Sequence, residues 1–208
     1  MKQFILVCQC MLVSILASAQ TKIAIKGGYN HNTAMVKLDN VKQPTGFMPG
    51  INLGMQVKTS FEPPLHFTGL LSYNLRGFSL TPVNGTIQKI ETRIHYVNLA
   101  PLLTYDIATD KLNHISLSTG PMAGIAFSGT QKITEAGVTS SSKIKFSTSE
   151  NYGFFDLGIH NSIAYHFKNL FIEASYYWGF VSINNNEETD KTNIKNRSFG
   201  LSLGYYIK

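Results

Sequence analysis

The chain has 208 residues, enough for one domain. Charged side chains make up 14% against roughly 25% in soluble domains, the mean hydropathy is −0.02 and the net charge is +6. That balance excludes a disordered chain, argues against membrane-spanning helices of about 20 apolar residues, and, with the basic residues forming no stripe, leaves nucleic acid an improbable partner.

In chain order, the first segment is a leader. Lys2 gives a positive start, Phe4 to Ala17 is mostly apolar, and Ala17-Ser18-Ala19 supplies small residues for cleavage. This is the pattern of a secretory signal peptide over residues 1–19. Cys8 and Cys10 lie inside the apolar run, so neither marks a lipoprotein. The mature chain, 20–208, then has no cysteine, and disulfides, thiolate metal sites and Cys nucleophiles are excluded.

From there the chain alternates. Ile23 and Ile25 alternate with Lys22, Ala24, Lys26 and Gly28, and Ile51 to Val57 alternates with Asn52, Gly54, Gln56 and Lys58. Leu65 to Leu75 alternates with His66, Thr68, Ser72 and Asn74; Val97 to Ile107 alternates with Tyr96, Asn98, Ala100 and Thr104. Ile115 to Phe127, Tyr152 to Phe167, Leu170 to Phe180 and Ser198 to Ile207 continue the pattern. Period-2 alternation is the strand signature, and eight strands are predicted. Lys168-Asn169 reads as a two-residue hairpin turn that sets Phe167 opposite Leu170. Short connections fall at about 59–64, 108–113 and 168–169, and long polar ones at about 30–46, 77–92, 129–150 and 183–195. Unequal ends are the mark of an up-and-down transmembrane barrel with short periplasmic turns and longer external loops.

The polar face is rich in Gly, Ser, Ala and Asn, which suits the crowded inside of an eight-stranded barrel. Aromatics on the apolar face fall into two belts. Tyr105, Tyr165, Phe167 and Tyr205 are placed at the periplasmic end, and Tyr29, Phe127, Phe155, Trp178, Phe180 and Phe199 at the outer end. A soluble barrel of lipocalin type, apolar face inward around a small ligand, is the competing architecture. The expected lumen network is Lys26, Asn52, Gln56, His66, Tyr96, Asp156, His160 and Glu173, filling the interior rather than lining a channel.

The pattern resembles the eight-stranded outer-membrane β-barrel family of Bacteroidetes, the PorT-like or porin-family barrels. The likeness is carried by Ile23–Tyr29 with its paired Gly, Gly50–Gly54, His95–Ile107 (HYVNLAPLLTYDI) and Gly120-Pro121. The chain departs from it at Phe67-Thr68-Gly69, where an acidic residue is frequent, and at the Lys208 terminus, where an aromatic final residue would help barrel assembly. The resemblance implies an outer-membrane location and a barrel fold, with no defined biochemical role.

His160-x-Ser162 with Glu173 across the hairpin contains the residue types of a nucleophilic triad. A barrel enzyme acting on lipid A would need them on the outer wall, whereas the register puts them inside. The expectation is therefore a non-enzymatic, monomeric barrel with a structural or surface-display role and external loops as interaction sites. No cofactor or metal is expected; Asn184–Asp190 is an acidic loop tip without the ligand spacing of a calcium loop. The expected partners are outer-membrane lipid, lipopolysaccharide and an unidentified surface or envelope protein. Arg93 and His95, at the outer end of strand four, are candidates for lipopolysaccharide phosphates, or for ordinary interfacial snorkelling.

Overall fold

A computed structural model describes residues 21–82, 87–108, 113–147, 152–185 and 192–207. The leader lies outside them. Every regular element among the described residues is a strand. Eight long strands form the wall: β1 (Lys22–Leu38), β2 (Met48–Glu62), β3 (Leu65–Leu80), β4 (Ile87–Ala108), β5 (Asn113–Glu135), β6 (Phe155–Phe167), β7 (Leu170–Gly179) and β8 (Thr192–Tyr206). Each pairs antiparallel with the next, and β8 pairs with β1 from Ala24↔Tyr206 to Leu38↔Thr192, which closes the ring. Closure removes the sheet edges that an open sheet would expose.

The alternation decides which way the wall faces. Leu53, Leu99 and Leu203 are 57%, 61% and 68% exposed on the outside, while Asn52, Asn98 and Ser202 between them are buried. The apolar face is outward, which overturns the lipocalin alternative. All ten belt aromatics also stand on the outer wall. Phe167 does pair with Leu170, so the two-residue turn fixes the register as expected.

The outer connections contain more strand than the sequence suggests. β1 runs on to Leu38 and folds back through Asp39 and Asn40 (φ 48° and 65°) into Val41–Gln43. β5 runs to Glu135 and returns through Ala136 and Gly137 (φ 47° and 81°) into Val138–Lys143. Both are two-residue turns with positive φ at both positions, the geometry that matches strand twist. β4 and β5 stay in step only because a bulge separates His95↔Ser128 from Tyr96↔Ala126. That bulge switches the outward parity on β5 from odd to even numbers.

Two close approaches need glycine. A Cβ on Gly28 would lie 2.1 Å from the Leu201 carbonyl oxygen, because β1 and β8 meet tightly there. Gly28→Ala is expected to destabilise by about 1–3 kcal/mol, whereas Gly69→Ala, with nothing within 4 Å, should be nearly neutral; urea titration in vesicles compares them. The second is on the β4–β5 seam. No pairing joins the strands between Leu99↔Ala123 and Leu103↔Thr119. Pro101 and Pro121 face each other across this gap, and neither has an N–H to donate. Gly120 lets the Pro101 carbonyl come close: a Cβ there would lie 2.2 Å from its oxygen. Behind the prolines, Ala100, Leu102 and Met122 form an inward apolar cluster with Leu70 and Tyr177.

Candidate functional site

The interior is filled at four levels. At the periplasmic mouth, Lys58 Nζ donates to both oxygens of Asp106 at 2.6 Å, and Ser116 donates to Oδ1 at 2.6 Å. His66 Nε2 lies 3.1 Å from Asp106 Oδ2, and His114 stacks on His166 with ring centres 4.1 Å apart. Lys22 stands at this rim, 6.0 Å from the Tyr206 ring centre.

The next level joins Lys26 to Glu173, with Nζ and Oε1 at 2.5 Å and both side chains 5% exposed. An amide chain runs around the wall from here. Ser202 donates to Asn52, Asn52 to Asn30 and Asn30 to Asn74, at 2.9, 2.8 and 3.0 Å. Short amide and hydroxyl side chains on these strands leave room in the narrow lumen for the long side chains of Lys26, Arg76 and Tyr177.

The third level centres on Asp156, which is fully buried. It accepts from Arg76 at 2.8 Å, Tyr177 at 2.9 Å and Asn196 at 2.8 Å. Asn196 also donates to the Tyr96 hydroxyl at 3.2 Å. The Arg76 guanidinium lies 3.8 Å from the Tyr177 ring centre and 5.2 Å from that of Tyr96. A buried carboxylate is sustained by this count of donors together with the guanidinium charge.

Above it, Ala34, Val36, Phe78, Ile94, Ala126, Ile183 and Ile194 make an apolar cap. Ile144, Phe146 and Tyr152 of the β5–β6 connection fold in against it. The outer mouth is thus closed by a small hydrophobic core.

All eight residues expected in the lumen face inward, but in separate groups. Asp156 and Tyr96 meet through Asn196; Lys26 meets Glu173; Asn52 belongs to the amide chain; His66 sits at the mouth. His160 lines a cavity of about 30 Å³ with Lys26 and Glu173, and Gln56 lines one of about 10 Å³ with His166. Such volumes hold one or two waters. Ser162 also points inward, opposite Ser175, and Glu173 is engaged by Lys26 rather than by His160. Part of the Asn184–Asp190 tip lies outside the described residues.

Sequence reasoning missed Arg76, Asn196, Asn30, Lys58 and Asp106 as partners. Arg76 and Asn196 were placed beyond the strand ends, yet both keep the inward even parity of Asn74 and Ser198. That parity was the available signal.

A family model, described as "Outer membrane protein beta-barrel domain", matches residues 18–185. The chain belongs to this family, and its place is the outer membrane. Among solved structures it is similar to OprG of Pseudomonas aeruginosa, at 12% identity over 91% of this chain and 97% of that one, TM-score 0.52. It is also similar to Ail of Yersinia pestis (16%, 89% and 98%, TM-score 0.45) and to Neisserial surface protein A (11%, 88% and 96%, TM-score 0.43). No curated protein sequence matches the chain.

Proposed function

We propose that the protein is a sealed, monomeric, non-enzymatic display barrel. It holds rigid β-hairpins above the outer surface, where an envelope or surface protein would meet them. One observation carries this: above the outer aromatic belt β4 and β5 remain paired as far as Ile87↔Glu135, over a capped interior. A paired hairpin presents a fixed surface at lower entropic cost on binding than a loose loop. His160 and Ser162 inside the wall support a structural rather than a lipid-modifying role. The motifs quoted above support grouping the chain with the PorT-like barrels of Bacteroidetes.

An epitope inserted between Ala136 and Gly137 is expected to be labelled by antibody on intact cells. The same epitope between Lys168 and Asn169 should be labelled only after the outer membrane is permeabilised. Labelling of the second site alone on intact cells would reverse the topology and end the display reading. In planar bilayers the purified protein should give no stepwise conductance; reproducible unitary steps would show that the filled lumen opens.

A further inference from the structure

The wall above the outer belt is basic on the β4–β5 side. Lys89, Arg93, Lys132, Lys143 and Lys145 are exposed there, accompanied by Glu91 and Glu135. Lys89 is taken by Glu91, with Nζ and Oε1 at 2.6 Å. The hydrogen bond from Lys89, with the nearby charges of Arg93 and Lys132, holds the Glu91 carboxyl below its usual range; Arg93, Lys132 and Lys143 themselves come within ion-pair distance of no carboxylate among the described residues.

The register arranges these cations. Arg93 pairs with Thr130 on β5, and Thr130 pairs with Lys143 on the returning strand Val138–Lys143. Directly opposed residues share a face, so Arg93, Thr130 and Lys143 form one transverse row. Strands lie about 4.8 Å apart, which puts the two cationic residues about 10 Å apart at their Cα atoms. Both side chains are long enough to reach a group held over the intervening Thr130. Two cations and a hydroxyl donor suit a phosphate monoester, whose oxygens accept charge-assisted hydrogen bonds.

Height narrows the ligand to a lipid. Phe127 packs with Tyr73 and His95 on the outer wall, with ring centres 6.3 and 5.9 Å away, and belongs to the outer belt. Thr130 lies three residues beyond Phe127 along β5. At about 3.3 Å per residue and a tilt of about 40°, that is a rise of roughly 8 Å. The headgroup layer extends roughly 5–8 Å beyond the hydrocarbon. The row therefore stands where outer-leaflet phosphates stand. His95 is not part of it: its Nδ1 lies 2.7 Å from the Tyr73 hydroxyl, within the aromatic patch.

We infer that Arg93, Thr130 and Lys143 bind a phosphate of the lipid A headgroup of lipopolysaccharide in the outer leaflet. The inference rests on the outer-membrane placement and not on the display role.

The test is lipid retention by the purified protein in detergent, counted by native mass spectrometry. The probes are phosphorylated lipid A, its enzymatically dephosphorylated form, and inorganic phosphate. Phosphorylated lipid A is expected to stay bound, and retention should fall roughly tenfold or more in the Arg93→Gln/Lys143→Gln double variant. Thr130→Val should weaken retention severalfold and guards against misfolding of the double variant. Both variants, like the parent, should migrate faster on a gel unboiled than boiled, as a folded barrel does. Lys37→Gln/Lys42→Gln removes the same charge from the β1 side and should leave retention unchanged. Equal retention of dephosphorylated lipid A, or an equal loss in the β1-side control, would overturn the assignment. Displacement by inorganic phosphate at the concentration of the lipid would also overturn it, since the site would then recognise a free anion.

Discussion

Asp156→Ala is expected to lower stability by about 3–5 kcal/mol, because it leaves the Arg76 guanidinium buried and unpaired. Asp156 is fully buried and accepts from Arg76, Tyr177 and Asn196, which come from β3, β7 and β8. Removing one residue thus strands three donors on three strands. Urea unfolding in lipid vesicles, followed by the fluorescence of Trp178, reads the loss. The chain has a single Trp, so the signal is unambiguous. Adding Arg76→Met to Asp156→Ala should recover much of the loss, since an uncharged side chain of similar length carries no desolvation penalty. A shift below about 1 kcal/mol for Asp156→Ala would mean that water reaches this level and that the interior is not sealed there.

Leu99→Arg is expected to cost about 2–4 kcal/mol, and Ser128→Arg about 0–1 kcal/mol. Leu99 lies midway along the outward face of β4, between His95 near the outer belt and Tyr105 in the periplasmic belt. Ser128 pairs with His95 at the outer end. The cost arises from burying a cation in hydrocarbon, so it depends on depth and not on local packing. Paired urea titrations of the two variants measure it. Equal, small costs at both positions would mean that the outer wall is wet.

Most of the wall was legible because the side-chain period of a strand is two and the chain keeps it. Phe167↔Leu170 followed from the two-residue turn alone, and it carried the inward placement of His160 and Glu173 with it. The outer hairpins were not legible as strand. Asp39-Asn40 and Ala136-Gly137 are turn pairs, but the segments flanking them, such as Val138–Lys143, are polar on both faces and show no alternation. Their pairing comes from the neighbouring strand, not from a buried face of their own. The β5 bulge was equally hidden, because one extra residue leaves no mark in composition.

The lumen groups divide the same way. Lys26 and Glu173 could be placed on the inner face from parity, but their contact depends on β7, β8 and β1 being neighbours, which only closure supplies. Arg76 lay one residue past the predicted end of its strand, and with it went the partner of Asp156.

Pro101 and Pro121 give the ring an unequal stiffness. Elsewhere neighbouring strands are laced by backbone hydrogen bonds, and those resist any change of angle between them. Between Leu99↔Ala123 and Leu103↔Thr119 the lacing is missing, and the wall there is held by Ala100, Leu102 and Met122 packing from within. Dispersion contacts among side chains resist separation but tolerate sliding and tilt. When the surrounding bilayer thins or its lateral pressure rises, distortion of the ring is expected to begin at this seam, beside its two prolines.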